Sequence, residues 1–375
     1  MKKLSALVLA TLLAAPAMAQ WQRTPTPNDT LQSVRRLADG SVVFSIYAPK
    51  ARTVSVAGDC VPWTPGAQKV VEQPNGVWSI QVPSVNPGAY RYHFVVDGMN
   101  VFDPKNELAS ETSAIATIAT GDEFFALKDV PHGAVSERLY YSETLKTWRR
   151  MHVWTPAGYE TSSKKLPVLY LVHGGGDTDN SWPGVGCAGL ILDNLMAEGK
   201  MQPMVVVMPN LNSYEYAACE TALPDKYIFN LRDPEFAKGD KFANDLRHSI
   251  IPFIESNYKV KAGKNSRAVA GLSMGGFMTT KLAYESPELF AHWGVFSAGG
   301  MGVSVRDAVK SVKNAGYKSF MVFCGPNDIA YRGALEMVEA LKAEEMEFEF
   351  LNNVESGHTW QTWRVSIQHY APTLF

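Results

Sequence analysis

A short glycine-rich segment holds the residue best suited to nucleophilic chemistry. It reads Gly271-Leu272-Ser273-Met274-Gly275-Gly276 and follows the apolar run Ala268–Ala270. A G-x-S-x-G pattern between an apolar strand and a helix predicts a sharp turn that lifts the serine hydroxyl above the carboxyl edge of a sheet. We therefore predict that Ser273 is a nucleophile. The alternative is an ordinary glycine-rich turn between a strand and a helix.

A serine hydroxyl is a weak nucleophile at neutral pH until a base removes its proton. Three histidines follow Ser273, namely His292, His358 and His369. His358 lies in a turn between a strand-like run and the last predicted helix, where an imidazole can reach the edge of the sheet. His292 begins a predicted strand and His369 lies on the last helix, so we expect both to be structural. His358 is therefore the predicted base.

An acid that orients the imidazole comes between the serine and the histidine in α/β-hydrolases. Asp328 fits this order, because it ends the segment Cys324-Gly325-Pro326-Asn327-Asp328, a turn after an apolar strand. The alternative for Asp328 is a structural role as a turn former or a helix cap. Glu355, which is close to His358 in the sequence, is the second candidate for the acid.

A second glycine-rich loop, His173–Gly176, directly follows the apolar run Leu169–Val172. Ester hydrolysis passes through a tetrahedral oxyanion, which preorganised N–H groups stabilise. We predict two donors: the backbone N–H of Met274, directly after the serine, and the N–H of Gly175 in this loop. Alone the loop indicates little, but it precedes the serine segment in the order that such hydrolases have.

Aromatic side chains are frequent near these loops and could stack on a flat acyl group or a sugar ring. The predicted substrate contacts are Trp182, Trp360 and Tyr331, and packing in the interior is the alternative for each of them. The chemistry requires no cofactor. No metal site is expected either, because no two cysteines have C-x-x-C spacing and no histidine cluster accompanies them.

Composition and charge argue against several classes of partner. The 375 residues include 35 Lys+Arg and 37 Asp+Glu, for a formal net charge of -2, and 46% of them are hydrophobic. This balance, without a basic run, does not favour binding to nucleic acid or to an anionic membrane surface. The hydrophobic content is typical of a globular protein with a sizeable core. Nothing in the sequence indicates the oligomeric state.

The first twenty residues have the features of a secretory signal peptide. Lys2 and Lys3 precede the apolar run Leu4–Leu13, and Ala17-Met18-Ala19 precedes a predicted cleavage site before Gln20. The apolar run is too short to span a hydrocarbon core of about 30 Å. We predict a signal peptide at residues 1–19, a linker at 20–34, and export to the periplasm or out of the cell.

Four cysteines remain in the predicted mature chain: Cys60, Cys187, Cys219 and Cys324. Cys324 follows an apolar run, so we expect a buried free thiol. Cys187 and Cys219 fall in loop-like sequence and make the one disulfide pairing that we consider.

Two regions with different hydrophobic periodicity follow the linker. Within residues 35–125, short alternating stretches are separated by Pro, Gly and Asn turns, a pattern typical of a small β-sandwich. Within residues 130–375, continuous apolar runs such as His292–Phe296 alternate with amphipathic helices, which indicates a parallel sheet covered on both faces. One predicted helix has apolar residues at four-residue spacing: Phe242, Leu246, Ile250 and Ile254. The predicted fold class is therefore α/β, with a three-layer α/β domain behind a small β-sandwich.

The motifs of the second region, taken together, resemble carbohydrate esterase family 1, the esterase D-like group that contains feruloyl and acetyl-xylan esterases. The resemblance covers nearly all of residues 130–375 and rests on Leu171–Asp177, Ile191–Leu195, Val205–Asn210, Gly271–Gly276 and Cys324–Asp328. It implies an α/β-hydrolase fold and a catalytic triad of Ser273, Asp328 and His358.

The first region is similar to the family 48 carbohydrate-binding module, an early-set immunoglobulin-like sandwich. This similarity rests on Val56–Asp59, Gly76–Trp78, Pro87–Tyr92 and Asp97-Gly98. Trp63 and Trp78 could be platforms for a sugar ring, although a place in the core is the alternative for both.

These features together predict a serine carboxylic-ester hydrolase that removes feruloyl or acetyl groups from xylan. Its partner would be an acylated polysaccharide or oligosaccharide. Two other functions stay open: a siderophore esterase of the enterochelin type, which also joins a β-sandwich to this hydrolase fold, and a carbohydrate-binding protein with an inactive esterase domain.

Overall fold

The computed structural model of the chain describes residues 23–61, 69–110, 113–212, 240–300 and 302–375. The predicted signal peptide, Trp63 and Cys219 lie outside these residues, so the inferences about them stay predictions. The chain divides into two compact units. One is formed by residues up to 86, 91–107 and 112–116, and the other by residues 87–90, 108–111 and 117–375.

The first unit is a sandwich of two four-stranded sheets. One sheet has the strand order β1-β2-β5-β4, and the other contains β3, β6, β7 and β8. The strands are β1 Val34–Arg36, β2 Val42–Tyr47, β3 Val54–Gly58, β4 Lys69–Glu72, β5 Val77–Val82, β6 Gly88–Val96, β7 Met99–Val101 and β8 Ala114–Ile118, after a 3-10 turn at Pro27–Asp29.

Apolar side chains from the two sheets meet between them. Phe44 of β2 contacts Tyr92 of β6 with ring centroids 4.8 Å apart, and both side chains are fully buried. Trp78 is also buried, and its indole N–H donates to the carbonyl of Ala48. The ring of Trp78 therefore belongs to the core, and it does not form a platform for sugar.

The second unit is a three-layer α/β-hydrolase domain on an eight-stranded sheet. The strand order is β16-β15-β14-β13-β11-β12-β10-β9. The strands are β9 Ala134–Ser142, β10 Thr147–Thr155, β11 Val168–Val172, β12 Val205–Pro209, β13 Arg267–Leu272, β14 His292–Phe296, β15 Ser319–Phe323 and β16 Glu349–Leu351.

The sheet is mixed, which corrects the prediction of a parallel sheet. Strands β11 to β16 are parallel to one another, but β10 runs antiparallel to both β9 and β12. A short link joins β9 to β10, and only antiparallel strands can be joined by so short a connection. This edge hairpin keeps one face in solvent, where Leu139, Tyr141 and Trp148 are exposed. The hairpin therefore lacks the continuous apolar pattern of the central strands.

Helices cover both faces of this sheet. They are α1 Ala188–Ala197, α2 Asp240–Asp245, α3 Ile251–Asn257, α4 Met274–Glu285, α5 Val305–Ala315, α6 Tyr331–Ala343 and α7 Trp360–Tyr370, with a π turn at Leu246–Ile250 and 3-10 turns at Lys264–Ser266, Pro287–Leu289 and Ala371–Thr373. Successive residues of a strand point to opposite faces. Val295 of β14 joins the core that includes α4 to α6, whereas Phe296 packs on Tyr370 of α7.

The apolar spacing predicted for one helix is confirmed. Phe242, Leu246, Ile250 and Ile254 are all buried on the continuous segment from α2 through the π turn to α3. None of the helices in the described ranges has both the length and the apolar character needed to cross a membrane.

Within the same ranges, Cys60, Cys187 and Cys324 are free thiols. Cys219, the predicted partner of Cys187, lies outside them. Burial raises the pKa of the Cys324 thiol to about 12. The expectation of a buried free thiol at this position is confirmed.

Candidate active site

Ser273 lies at the turn between β13 and α4. Its backbone has φ 51° and ψ −113°, and it directly precedes the first residue of the helix. A positive φ is unusual for a residue with a side chain and costs about 1–3 kcal/mol when the surroundings hold it in place. The hydroxyl is thereby presented at the carboxyl ends of the parallel strands, as the G-x-S-x-G pattern predicts.

The two glycines that flank this turn are required by close backbone contacts. A Cβ added at Gly271 would lie 2.2 Å from the carbonyl oxygen of Gly275, and one added at Gly275 would lie 2.5 Å from that of His173. Both distances are far below van der Waals contact. The turn therefore forms only because the strand and the helix approach each other without side chains at these positions.

His358 bridges Ser273 and Asp328. The Ser273 hydroxyl donates to His358 Nε2 over 2.9 Å, and His358 Nδ1 donates to Asp328 Oδ1 over 2.7 Å. His358 comes from the loop between β16 and α7, and Asp328 from the turn after β15. The three residues predicted from separate segments of the sequence are thus joined in one chain of hydrogen bonds.

Asp328 is fully buried, yet it is held in its ionised form. Burial acts to raise the pKa of its carboxyl group, but hydrogen bonds from His358 and from the amide of Ala330, together with the nearby Ser297, outweigh it, and the pKa is lowered. The imidazole of His358 is about one-fifth exposed. A buried carboxylate behind a partly exposed imidazole can orient the ring and stabilise its protonated form.

The loop after β11 approaches the serine. A Cβ added at Gly174 would lie 3.3 Å from the Cβ of Ser273, and the next residue, Gly175, is exposed. Met274 begins α4, where the first amides of a helix have no intrahelical acceptor. The two amides that we predicted as oxyanion donors therefore lie on the two segments that meet at Ser273.

Comparison with known sequences finds a family match in each of the two units. Residues 142–315 match the sequence profile of the Esterase family. Residues 31–111 match that of carbohydrate-binding module 48, the isoamylase N-terminal domain. The second unit is thus similar over these residues to the Esterase family, and the first unit is similar to module 48.

Among curated proteins, the chain is 32% identical over 350 residues to an endo-1,4-beta-xylanase/feruloyl esterase from Xylanibacter ruminicola. The alignment covers 90% of the chain and 45% of that relative. The chain spans less than half the length of the curated relatives that it matches.

Two solved structures have a fold similar to that of this chain. A ferulic acid esterase from Anaeromyces mucronatus, in complex with ferulic acid, gives a TM-score of 0.58 at 24% identity and covers 68% of this chain and 95% of its own. The enterobactin esterase from Shigella flexneri gives a TM-score of 0.57 at 16% identity. This match covers 90% of the present chain and 94% of the enterobactin esterase. At these identities the likeness concerns the fold alone.

Two of the three predicted substrate contacts lie in the interior of the second unit. Trp182 and Trp360 are 1% and 5% exposed, and their rings pack edge-to-face with centroids 5.2 Å apart. The indole N–H of Trp182 donates to the carbonyl of Val172. Because both rings are enclosed by other side chains, their burial argues against contact with a substrate and supports the packing alternative. Tyr331 is partly exposed at the first turn of α6.

The histidines that we expected to be structural are remote from this chain of hydrogen bonds. His292 is buried at the start of β14, where Nδ1 lies 2.8 Å from the hydroxyl of Ser319. His369 lies on α7 against the ring of Phe323. Glu355, the second candidate for the acid, is exposed, and its backbone carbonyl accepts from Asn327.

Sequence reasoning missed Ser297 as part of the site. This buried residue follows β14 with φ 49°, and its hydroxyl accepts a 3.0 Å hydrogen bond from the indole of Trp363. It also contributes to lowering the pKa of Asp328. The available signal was its place after the strand next to β13, because the carboxyl ends of parallel strands meet at one edge of the sheet.

Proposed function

We propose that the chain is a serine carboxylic-ester hydrolase that removes feruloyl groups from plant cell-wall xylan. Acetyl groups are the second candidate for the acyl group that it removes. The observation that carries this proposal is the chain of hydrogen bonds from Ser273 through His358 to Asp328. It supplies a nucleophile, a base and an orienting carboxylate in the order that acyl transfer requires.

In this mechanism His358 removes the proton of Ser273 as its oxygen attacks the ester carbonyl. The amides of Gly175 and Met274 hold the oxyanion that develops. His358 then protonates the departing alcohol and leaves an acyl-enzyme, which a water molecule activated by the same imidazole hydrolyses. Asp328 keeps the imidazole oriented and stabilises its cationic form throughout.

The choice of acyl group and polymer is supported by the relatives. The curated relative from Xylanibacter ruminicola is named a xylanase and feruloyl esterase, and it aligns with most of this chain. The module 48 match in the first unit is consistent with a polysaccharide substrate. The predicted signal peptide at residues 1–19 is consistent with export towards such a polymer.

The deciding experiment compares the wild-type protein with the Ser273→Ala variant on methyl ferulate and on acetylated xylan. We expect the variant to lose several orders of magnitude in kcat while its thermal unfolding stays close to that of the wild type. A serine-directed phosphonate should label the wild type and not the variant. Near-normal turnover by Ser273→Ala would remove the serine from the mechanism.

A second candidate is a siderophore esterase of the enterochelin type. The observation in its favour is the likeness to the enterobactin esterase from Shigella flexneri, which covers 90% of this chain. A ferric catecholate lactone assayed beside methyl ferulate separates the two, because fast turnover of the lactone alone would reverse the ranking. A carbohydrate-binding protein with an inactive esterase domain would bind xylan and not react with the phosphonate.

A further inference from the structure

His173, the first residue after β11, has both ring nitrogens engaged by the backbone. It is 1% exposed. Its Nε2 accepts the amide of Leu211 over 2.9 Å, and its Nδ1 lies 2.8 Å from the carbonyl oxygen of Gly174. An amide N–H can only donate and a carbonyl oxygen can only accept, so Nε2 is the unprotonated nitrogen and Nδ1 carries the proton. Nε2 also lies 3.3 Å from Oδ1 of Asn210, but the nearer amide of Leu211 needs an acceptor at this nitrogen. The two backbone contacts therefore favour one neutral tautomer of this imidazole.

The direction of the Gly174 carbonyl determines the direction of the next amide. The peptide between Gly174 and Gly175 is trans, so its C=O and its N–H point in opposite directions. The carbonyl is turned towards the imidazole of His173, and it also lies 3.4 Å from the amide nitrogen of Asp177. The N–H of Gly175 must then point away from the imidazole.

This restraint matters because the peptide lies between two glycines. Glycine adopts positive and negative φ with similar ease, so a peptide with a glycine on each side can turn over without a steric penalty. An amide that turns over would present its carbonyl oxygen, which repels an oxyanion, where the N–H is needed. The hydrogen bond from His173 Nδ1 opposes that rotation.

We propose that His173 is a positioning residue whose neutral Nδ1–H tautomer holds the N–H of Gly175 towards the oxyanion formed at Ser273. The proposal rests on the proposed function, since it presumes acyl transfer at this serine. His173 does not touch the reacting atoms in this role, because its ring is buried and both of its nitrogens are bonded to the backbone.

Two substitutions separate the two hydrogen bonds of the ring. In His173→Asn the side-chain amide nitrogen stands near the position of Nδ1, so the donor to the Gly174 carbonyl is kept. In His173→Gln the side-chain oxygen reaches the position of Nε2, so the acceptor for Leu211 is kept and the donor is lost. We compare kcat and KM for methyl ferulate and the inhibition constant of an alkylboronic acid, whose tetrahedral adduct places an oxygen in the oxyanion site.

We expect His173→Gln to lose roughly 100-fold in kcat, the scale of one missing oxyanion donor. KM should change little, and the inhibition constant of the boronic acid should rise in parallel with the loss in kcat. His173→Asn should retain most of the wild-type kcat and most of the wild-type affinity for the boronic acid. The inhibition constant does not depend on the fraction of folded protein, so a partly unfolded preparation does not imitate the effect. An unchanged inhibition constant in His173→Gln, or equal losses in both variants, would overturn the proposal.

A measurement on the wild-type protein covers the case in which neither variant folds. Nitrogen-15 NMR of histidine-labelled protein distinguishes the two neutral tautomers, and we expect a protonated Nδ1 for His173. A protonated Nε2 would contradict the inference. The proposed function is tested by different results. It is refuted if Ser273→Ala stays active and the boronic acid does not inhibit the wild type, whatever the His173 variants show.

Discussion

The indole of Trp363 lies edge-to-face against the imidazole of His358, with ring centroids 5.0 Å apart and an interplanar angle of 88°. The N–H of the same indole donates to the hydroxyl of Ser297, which acts on the Asp328 carboxylate. One tryptophan on α7 thus contacts the base directly and reaches the acid through one serine. This relationship gives Trp363 a positioning role behind the triad.

Replacing Trp363 by phenylalanine should keep an aromatic ring near His358 and remove the hydrogen bond to Ser297. We expect kcat for methyl ferulate to fall roughly tenfold with little change in KM, because a hydrogen bond of about 1 kcal/mol that orders the site is lost. Trp148→Phe is the matched control, since Trp148 is exposed on β10. Equal activity of the Trp363→Phe variant and the wild type would contradict the positioning role.

Replacing Asp328 by asparagine should leave the shape of the site intact and remove the charge that orients His358. In a serine protease the equivalent change lowers kcat by about 10⁴, and we expect a loss of that order for ester hydrolysis here. Glu355→Gln serves as the control, because Glu355 was the other candidate acid and is exposed. A larger loss in Glu355→Gln than in Asp328→Asn would exchange their roles.

Adding a methyl group at Gly275 should disrupt the serine turn. Its Cβ would lie 2.5 Å and 2.7 Å from the carbonyl oxygens of His173 and Val172, and backbone atoms cannot move aside cheaply. We expect Gly275→Ala to unfold at lower urea concentration and to lose activity. Gly189→Ala, on helix α1, should cost far less than Gly275→Ala, since its Cβ meets side-chain atoms only, the nearest being Val135 Cγ2 at 3.2 Å and Trp154 Cδ1 at 3.6 Å, and alanine favours helices.

Removing the charge of Asp179 should destabilise the second unit. This buried carboxylate accepts hydrogen bonds from Arg150 and from His152, each at 2.8 Å, and these bonds keep its pKa low although burial acts to raise it. Asp179→Asn removes the buried charge that faces the half-buried guanidinium of Arg150, and we expect a loss of about 3–5 kcal/mol in the free energy of unfolding. Glu137→Gln, which removes an exposed partner of the same Arg150, should cost less than about 1 kcal/mol.

The stability of the protein should depend on pH through His292. Burial lowers the pKa of this imidazole from 6.5 to about 4. Between these values the unfolded chain binds a proton that the folded protein does not, so the free energy of unfolding falls as the pH is lowered from 6.5 towards 4. We expect a contribution of about 2 kcal/mol after partial solvent screening.

His292→Asn tests this prediction, because asparagine can keep the contact to Ser319 and does not titrate. Urea unfolding at several pH values should give a smaller slope for the variant than for the wild type between pH 4 and 6.5. If the free energy of unfolding depends on pH in the same way for the two proteins, His292 does not contribute to the pH dependence of stability.

Much of the fold follows from local patterns in the sequence. The strand His292–Phe296 and the buried positions Phe242, Leu246, Ile250 and Ile254 are as predicted. The hairpin of β9 and β10 was missed because its exposed face carries Tyr141 and Trp148, so its pattern differs from that of the buried parallel strands.

For the site, the sequence by itself determined which residue types are available and in which order they follow one another. The turn at Ser273 is a local structure, because strand, turn and helix all lie within a few residues, and its glycine pattern can be read without the fold. The turn at Asp328 and the loop at His358 could be nominated in the same way, by their place after a strand.

Only the tertiary structure decided which of the remaining side chains surround these residues. The bond from Trp363 to Ser297 joins positions 66 residues apart, and the amide that His173 Nε2 accepts comes from Leu211, beyond the end of a neighbouring strand. The burial of Trp182 and Trp360 likewise depends on how the loop after β11 packs against α7. Such contacts arise from the packing of distant segments, and residue spacing along the chain carries no record of that packing.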